Sequence, residues 1–169
     1  MAEPRSFDLK KCQLQLVDGS GTPKTLTVKF GEGNLTYTQR KNREYKLDRG
    51  KLATGEVRDG DDEPMEVSFD GVFTKLTSST GEAVSIPEFL DQIGAASSHA
   101  TTGDACEPYA IDLVLSVDAA CGTIEDEIIT FDQFRYEELN GDFGEGTISV
   151  TGKCKAVRPT SVRTTTVTV

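Results

Sequence analysis

Apolar and polar residues alternate with a period of two along much of this chain, and that pattern argues for a fold built from strands. Cys12, Leu14 and Leu16 alternate with Lys11, Gln13 and Gln15, and Leu26, Val28 and Phe30 with Thr25, Thr27 and Lys29. Further on, Ile111, Leu113, Leu115 and Val117 enclose Asp112 and Ser116, and Ile148, Val150 and Gly152 alternate with Ser149, Thr151 and Lys153. Successive side chains of an extended chain face opposite sides, so each run reads as a strand with one face in a core and the other in water. Turn signals lie between them: Asp18-Gly19-Ser20-Gly21, Gly31-Glu32-Gly33-Asn34, Cys121-Gly122 and Asn140-Gly141. Sixteen glycines and abundant Thr, Val and Ile favour the same elements.

One helix interrupts the strands. Ser85-Ile86-Pro87-Glu88 has the form of a capping box, with Pro tolerated in the first turn. Ile86, Phe89, Leu90 and Ile93 then follow at i, i+3, i+4 and i+7 as an apolar stripe that Gly94 can end. A short amphipathic helix among seven or eight strands should lie across the open side of a sheet sandwich. The expected class is mainly β (α+β), a β-sandwich or barrel-like domain with one flanking helix. Its 169 residues make one domain, residues 1–169, with a core of about residues 10–157 and flexible termini. Gly94 to Pro108 is small and polar and reads as a surface loop. Arg40 to Pro64 reads as a long early-strand loop, charged and poor in large apolar residues, and loops of that length are usually functional or disordered.

Charge is segregated along the chain. Gln39 to Arg58 carries seven bases (Arg40, Lys41, Arg43, Lys46, Arg49, Lys51, Arg58) against three acids. Asp59 to Val150 carries twenty-one acids against two bases, Lys75 and Arg135, within a total of −10. A body that repels itself over most of its length yet displays one basic arm is suited to head-to-tail self-contact. The same carboxylates repel a nucleic-acid backbone.

Catalytic and metal-binding patterns are sparse. His99, the one histidine, sits in SSHATTG and reads as a solvated loop residue. Gly141 to Gly146 lacks phosphate-loop spacing and a following helix, and reads as a hairpin turn. Asp59-Gly60-Asp61-Asp62-Glu63 departs from a calcium loop at its sixth and twelfth positions, Pro64 and Asp70. Carboxylate pairs such as Glu125 with Glu127 read as an acidic face, since the chain has no Trp to line a glycosidase cleft. Cys12, Cys106, Cys121 and Cys154 are scattered without a CxxC pair and read as free thiols, with a Cys106–Cys121 bridge open after release from a cell. No apolar run approaches a membrane span, and MAEPRSFDLKK has no apolar signal core, so a cytoplasmic site of synthesis is expected.

Four segments, taken in order, resemble the tail tube proteins of long-tailed bacteriophages: Glu63 to Leu76, the SIPEFLDQIG helix, PYAIDLVLSVD with its Cys-Gly turn, and Phe131 to Val157. The resemblance runs from about Lys10 to Val157 and is one of pattern rather than of catalytic motifs. It implies a structural virion protein, not an enzyme and without cofactor or metal. Its subunits would form hexameric rings that stack into a hollow tail tube with a largely acidic bore, through which DNA passes without specific binding. It implies that the Arg40 to Pro64 segment, with its seven bases, reaches toward the neighbouring ring. Asp112, Glu125 and Glu127 are the carboxylates expected to face the bore. Implied partners are the chain itself and the tape measure, tail terminator and distal tail proteins, with assembly in the host cytoplasm, residence in the virion tail and no membrane anchor. Two alternatives stay open: an inner-tube protein of a contractile injection system, and a monomeric β-sandwich binding module. A hydrolase would rest on His99 and carboxylates alone.

Overall fold

A computed structural model describes residues 12–31, 34–117 and 126–164. These hold twelve strands and one α-helix, so the mainly-β class with a single short helix is as expected, although strands outnumber the predicted seven or eight. The main sheet follows the path β2 (Thr25–Val28), β1 (Cys12–Val17), β9 (Ile111–Val117), β10 (Asp126–Asp142), β11 (Thr147–Cys154), β6 (Met65–Val72), β3 (Leu35–Thr38). The pairings along it are antiparallel, and β12 (Thr160–Thr164) also pairs with β10. The sheet rolls but does not close into a barrel. Val72 N–H donates to the Lys29 carbonyl at 2.7 Å, a backbone bond that links β6 to the chain just beyond β2.

The alternation seen in the sequence is the core. Leu14, Leu16, Leu26, Val28, Leu113, Ile148 and Val150 are buried, and they join Met65, Val67 and Phe69 of β6 in one cluster. Both halves of the rolled sheet therefore cover the same interior. β10 spans the two halves. Its first part pairs with β9 and β12, its second with β11. Between them the register slips at Phe131–Phe134, where Gln133 takes φ 50, so Phe131 and Phe134 both turn inward despite their three-residue spacing. A second slip, between Tyr136 and Glu138, sits opposite Gly152. A Cβ on Gly152 would lie 2.2 Å from the Arg135 carbonyl oxygen, so this crossing requires glycine.

Asn140-Gly141 is not the turn its composition implies. Both residues pair within β10–β11, with Ser149 and Ile148, and the chain reverses at Phe143 to Gly146, within the Gly141 to Gly146 stretch read as a hairpin turn. Helix α1 (Ile86–Asp91) starts as predicted: Glu88 N–H donates to Ser85 Oγ at 3.4 Å, and Ser85 N–H to Glu88 Oε2 at 2.8 Å. It ends early, at Gln92 with φ 56, which leaves Ile93 off the stripe and exposed. Ile86, Phe89 and Leu90 are buried as expected. The short strands β7 (Leu76–Thr77) and β8 (Ala83–Val84) pair just before the helix.

The Gly94 to Pro108 loop is tied down rather than loose, and His99 is buried rather than solvated. Its ring meets Phe89 edge-on, with centroids 4.7 Å apart. The backbone explains the burial. Gly19 N–H donates to the Ala100 carbonyl, Ala100 N–H to Asp18 Oδ2, and the Gln92 side chain to the His99 carbonyl. Burial alone would raise the Asp18 pKa, but donors from Lys24, Ser20 and Ala100 outweigh it and hold the carboxyl below its ordinary value. Cys154 is buried on β11 and desolvation pushes its thiol up to about 12, while Cys106 is an exposed free thiol. Cys121, the other half of the open bridge, lies outside the described residues.

Phe89→Ala is expected to cost about 3–5 kcal/mol in urea unfolding, because it opens a cavity beneath α1 and beside His99. A second expectation concerns acid. Desolvation lowers the His99 pKa from its ordinary 6.5, against the opposing pull of Asp18. The unfolded chain therefore binds the proton first. The contribution of neutral His99 is complete above about 6.5 and is lost as pH falls from there through the lower folded-state pKa. Melting temperatures recorded from about pH 7 to about pH 5 should fall for the wild type. The same series should be flatter for His99→Phe; equal slopes would mean that His99 is not the titrating group.

Candidate functional site

The basic segment is a hairpin. β4 (Arg43–Asp48) and β5 (Lys51–Asp59) pair only with each other, so most of the segment expected as a loop is strand. Arg49 and Gly50 form the turn with φ 48 and φ 75, the two positive values that a tight two-residue hairpin requires. Tyr45 stands opposite Val57, and Lys46 opposite Glu56, before the register shifts beyond Lys46. Gly55 permits that shift, since a Cβ there would lie 2.2 Å from the Lys46 carbonyl oxygen. At the root, Gly60 N–H donates to the Asn42 carbonyl at 3.0 Å.

The seven bases fall into two groups. Those near the root are matched locally: Arg40 with Glu66 at 3.1 Å, Arg43 with Asp59 at 2.7 Å, Lys41 with Asp59 at 4.0 Å, and Arg58 with Glu56 at 2.7 Å. Such exposed pairs each contribute about 0–1 kcal/mol, so they neutralise the root more than they stiffen it. Lys46, Arg49 and Lys51, around the distal turn, make no ion pair among the described residues. The positive charge left for a partner is therefore distal.

The few large apolar residues of the hairpin are all exposed. Tyr45, Leu47, Leu52 and Val57 are 60%, 57%, 62% and 56% exposed. Nothing among the described residues covers them to half. Apolar side chains and unmatched cations exposed together are the make-up of contact surfaces in general.

The expected bore carboxylates stand apart from this element. Asp112 on β9 is half-buried, and its Oδ1 accepts from Gln133 N–H at 2.9 Å. Burial raises its pKa, opposed by that hydrogen bond. Asp112 thus holds the β10 bulge, a task that the alternation alone could not disclose. Glu127 on β10 pairs across the sheet with Val117 and Arg163, and the Ser161 hydroxyl donates to it. Glu125 lies outside the described residues.

A cleft of ≈ 440 Å³ opens between α1 and β10, floored by Leu90, Ile111 and Phe134. Its charged rim is already satisfied: Arg135 binds Glu107 and the Pro108 carbonyl, Glu137 pairs with Lys153, and Asp91 accepts from the Tyr136 hydroxyl. Lys155 also binds Glu107 and, with Arg135, holds that carboxyl below its ordinary pKa. No described helix is long and apolar enough to cross a membrane.

No family model and no curated protein matches the chain. A solved structure does. The fold is similar to a chain in the cryo-EM structure of an extracellular contractile injection system, the PVC sheath/tube terminator in its extended state. The TM-score is 0.55 at 11% identity, covering 95% of this chain and 99% of that one. At that identity the likeness is one of fold, and it spans the whole domain rather than a shared motif.

If the hairpin is a contact element, its apolar residues do not stabilise the subunit. Leu47→Ser and Leu52→Ser should each shift unfolding by no more than about 0.5 kcal/mol. A loss of several kcal/mol would show instead that the hairpin packs on its own body.

Proposed function

We propose that this chain is a structural subunit of a tail-like particle that forms hexameric rings and stacks them into a hollow tube. The observation that carries the reading is the β4–β5 hairpin, whose four exposed apolar residues and three unmatched bases have no partner surface among the described residues. The fold likeness to a terminator of a contractile injection system supports the same class of assembly. The physical steps follow from the charge and the strands. Ring closure would cover open sheet edges, which otherwise invite uncontrolled pairing. Axial stacking would place the basic hairpin of one subunit on an acidic surface of the next. A net charge of −10 keeps free subunits soluble and mutually repelling until that contact forms. Carboxylates along a bore would repel phosphates, so DNA would slide through without adhering. The tape measure, terminator and distal tail proteins are the partners this role requires, and it needs neither catalysis nor a cofactor.

A second reading has one observation in its favour: the similar structure is a terminator, a component at the end of a tube rather than along it. Such a subunit would form one ring and stop. Negative-stain electron microscopy of the purified protein, fresh and after concentration, separates the two. Stacked hollow tubes are expected; isolated rings at every concentration would support the terminator reading, and dispersed monomers throughout would overturn both. The assembled fraction should also fall as salt rises from about 0.05 M to about 0.5 M, where screening shortens to a few ångströms.

A further inference from the structure

The hairpin has a counterpart at the other end of the same strands. β6 begins at Met65, just after the hairpin returns through Gly60, and ends at Val72, beside the β10–β11 turn. Thr147 pairs with Val72, and Phe73 N–H donates to the Gly146 carbonyl at 2.7 Å. Eight residues of strand separate the hairpin root from that turn by about 25 Å. The turn carries Phe143, which at 82% is the most exposed large hydrophobic residue among those described. Its ring stands edge-on to Phe73 with centroids 4.9 Å apart, and so is presented rather than loose. Asp142 Oδ1 accepts from Gly144 N–H at 2.8 Å and from Glu145 N–H at 3.2 Å, which fixes the turn. Neither Asp142 nor Glu145 makes an ion pair among the described residues.

We infer that the Phe143 turn is the acceptor for the β4–β5 hairpin of a second copy of this chain. The two tips are complementary in both respects that matter. One offers Leu47 and Leu52 among Lys46, Arg49 and Lys51, offset by Asp48; the other offers Phe143 between Asp142 and Glu145. Apolar contact supplies attraction, and the opposite charges set orientation and suppress like-with-like pairing. Because the tips are rooted at opposite ends of β6, the contact is head-to-tail, between two different surfaces, and so can repeat from copy to copy. The inference rests on the tube reading and adds the surface that the hairpin meets.

Two charge-reversed variants test it. One carries Lys46→Glu, Arg49→Glu and Lys51→Glu; the other carries Asp142→Asn, which keeps the turn cap, with Glu145→Lys. Sedimentation velocity measures the assembled fraction of each alone and of their equimolar mixture. Each alone should lose about tenfold in assembled mass, because like charges now meet at the contact. The mixture should regain it, since each reversed tip then finds an opposite partner. Phe143→Ser should also lose assembly with its charges unchanged, and melting curves should show that all three variants fold. If the turn variant and Phe143→Ser assemble like the wild type, the acceptor assignment is wrong although the tube reading stands. If the wild type never assembles, the tube reading fails and takes this inference with it.

Discussion

The whole architecture depends on how β10 bends. A flat strand of 17 residues would lie in one sheet and leave half of its inward residues without a core. Here Gln133 adopts a left-handed backbone that non-glycine residues rarely enter, at a cost of about 1–2 kcal/mol. Asp112 meets that strained residue with a hydrogen bond to its N–H, and Phe131 and Phe134 on either side of it fill the interior. The bend is thus stabilised from outside by a half-buried carboxylate and from inside by two aromatic rings. Gly152 on the neighbouring strand removes the last obstacle by letting the Arg135–Tyr136 backbone pass close. With β10 bent, its first half joins β9, β1 and β2 and its second half joins β11, β6 and β3, and both cover one core.

What could be read from the chain depended on whether an element faced that core. β1, β2, β9 and β11 show themselves by alternation because each has one buried face. The start of α1 was equally legible, since a capping box is a local arrangement needing no tertiary partner. Its end was not: the chain leaves the helix at Gln92, and the stripe that appears to continue to Ile93 is an accident of spacing. Asn140-Gly141 has the residues of a hairpin turn but sits inside a ladder. The turn lies a few residues later, in the glycine-rich Gly141 to Gly146 stretch that was itself legible as a hairpin, where Asp142 caps it.

The hairpin and His99 were hidden for opposite reasons. β4 alternates Tyr45 and Leu47 with charged residues, yet neither face of β4 or β5 is buried, so the segment reads as a charged loop. Their turn is Arg49-Gly50 rather than the Asn-Gly or Asp-Gly that announces such hairpins. His99 lies in a segment of small polar residues that looks soft, and the anchor that buries it, Asp18, is 81 residues earlier in sequence. Pairing of distant backbone groups leaves no mark on local composition. The charge segregation, by contrast, was visible from the start, although which bases remain unmatched required the ion pairs at the root.

That division of charge bears on how a β protein can associate without aggregating. The sheet path ends at β2 and β3, and the hairpin presents two further strand edges, all of which could template wrong pairings. An acidic body opposes such encounters at long range, and the root cations cannot offset that repulsion because Glu56, Asp59 and Glu66 already match them. Within the hairpin, the cations without an ion pair among the described residues, Lys46, Arg49 and Lys51, cluster around its distal turn. On the proposed reading, a subunit approaching hairpin-first would bring those cations and the exposed Leu47 and Leu52 to an acidic surface of the next, where both charge and apolar contact favour it. Orientation would then be selected before any strand edge came within reach, so that edges would pair only where that geometry brought them together.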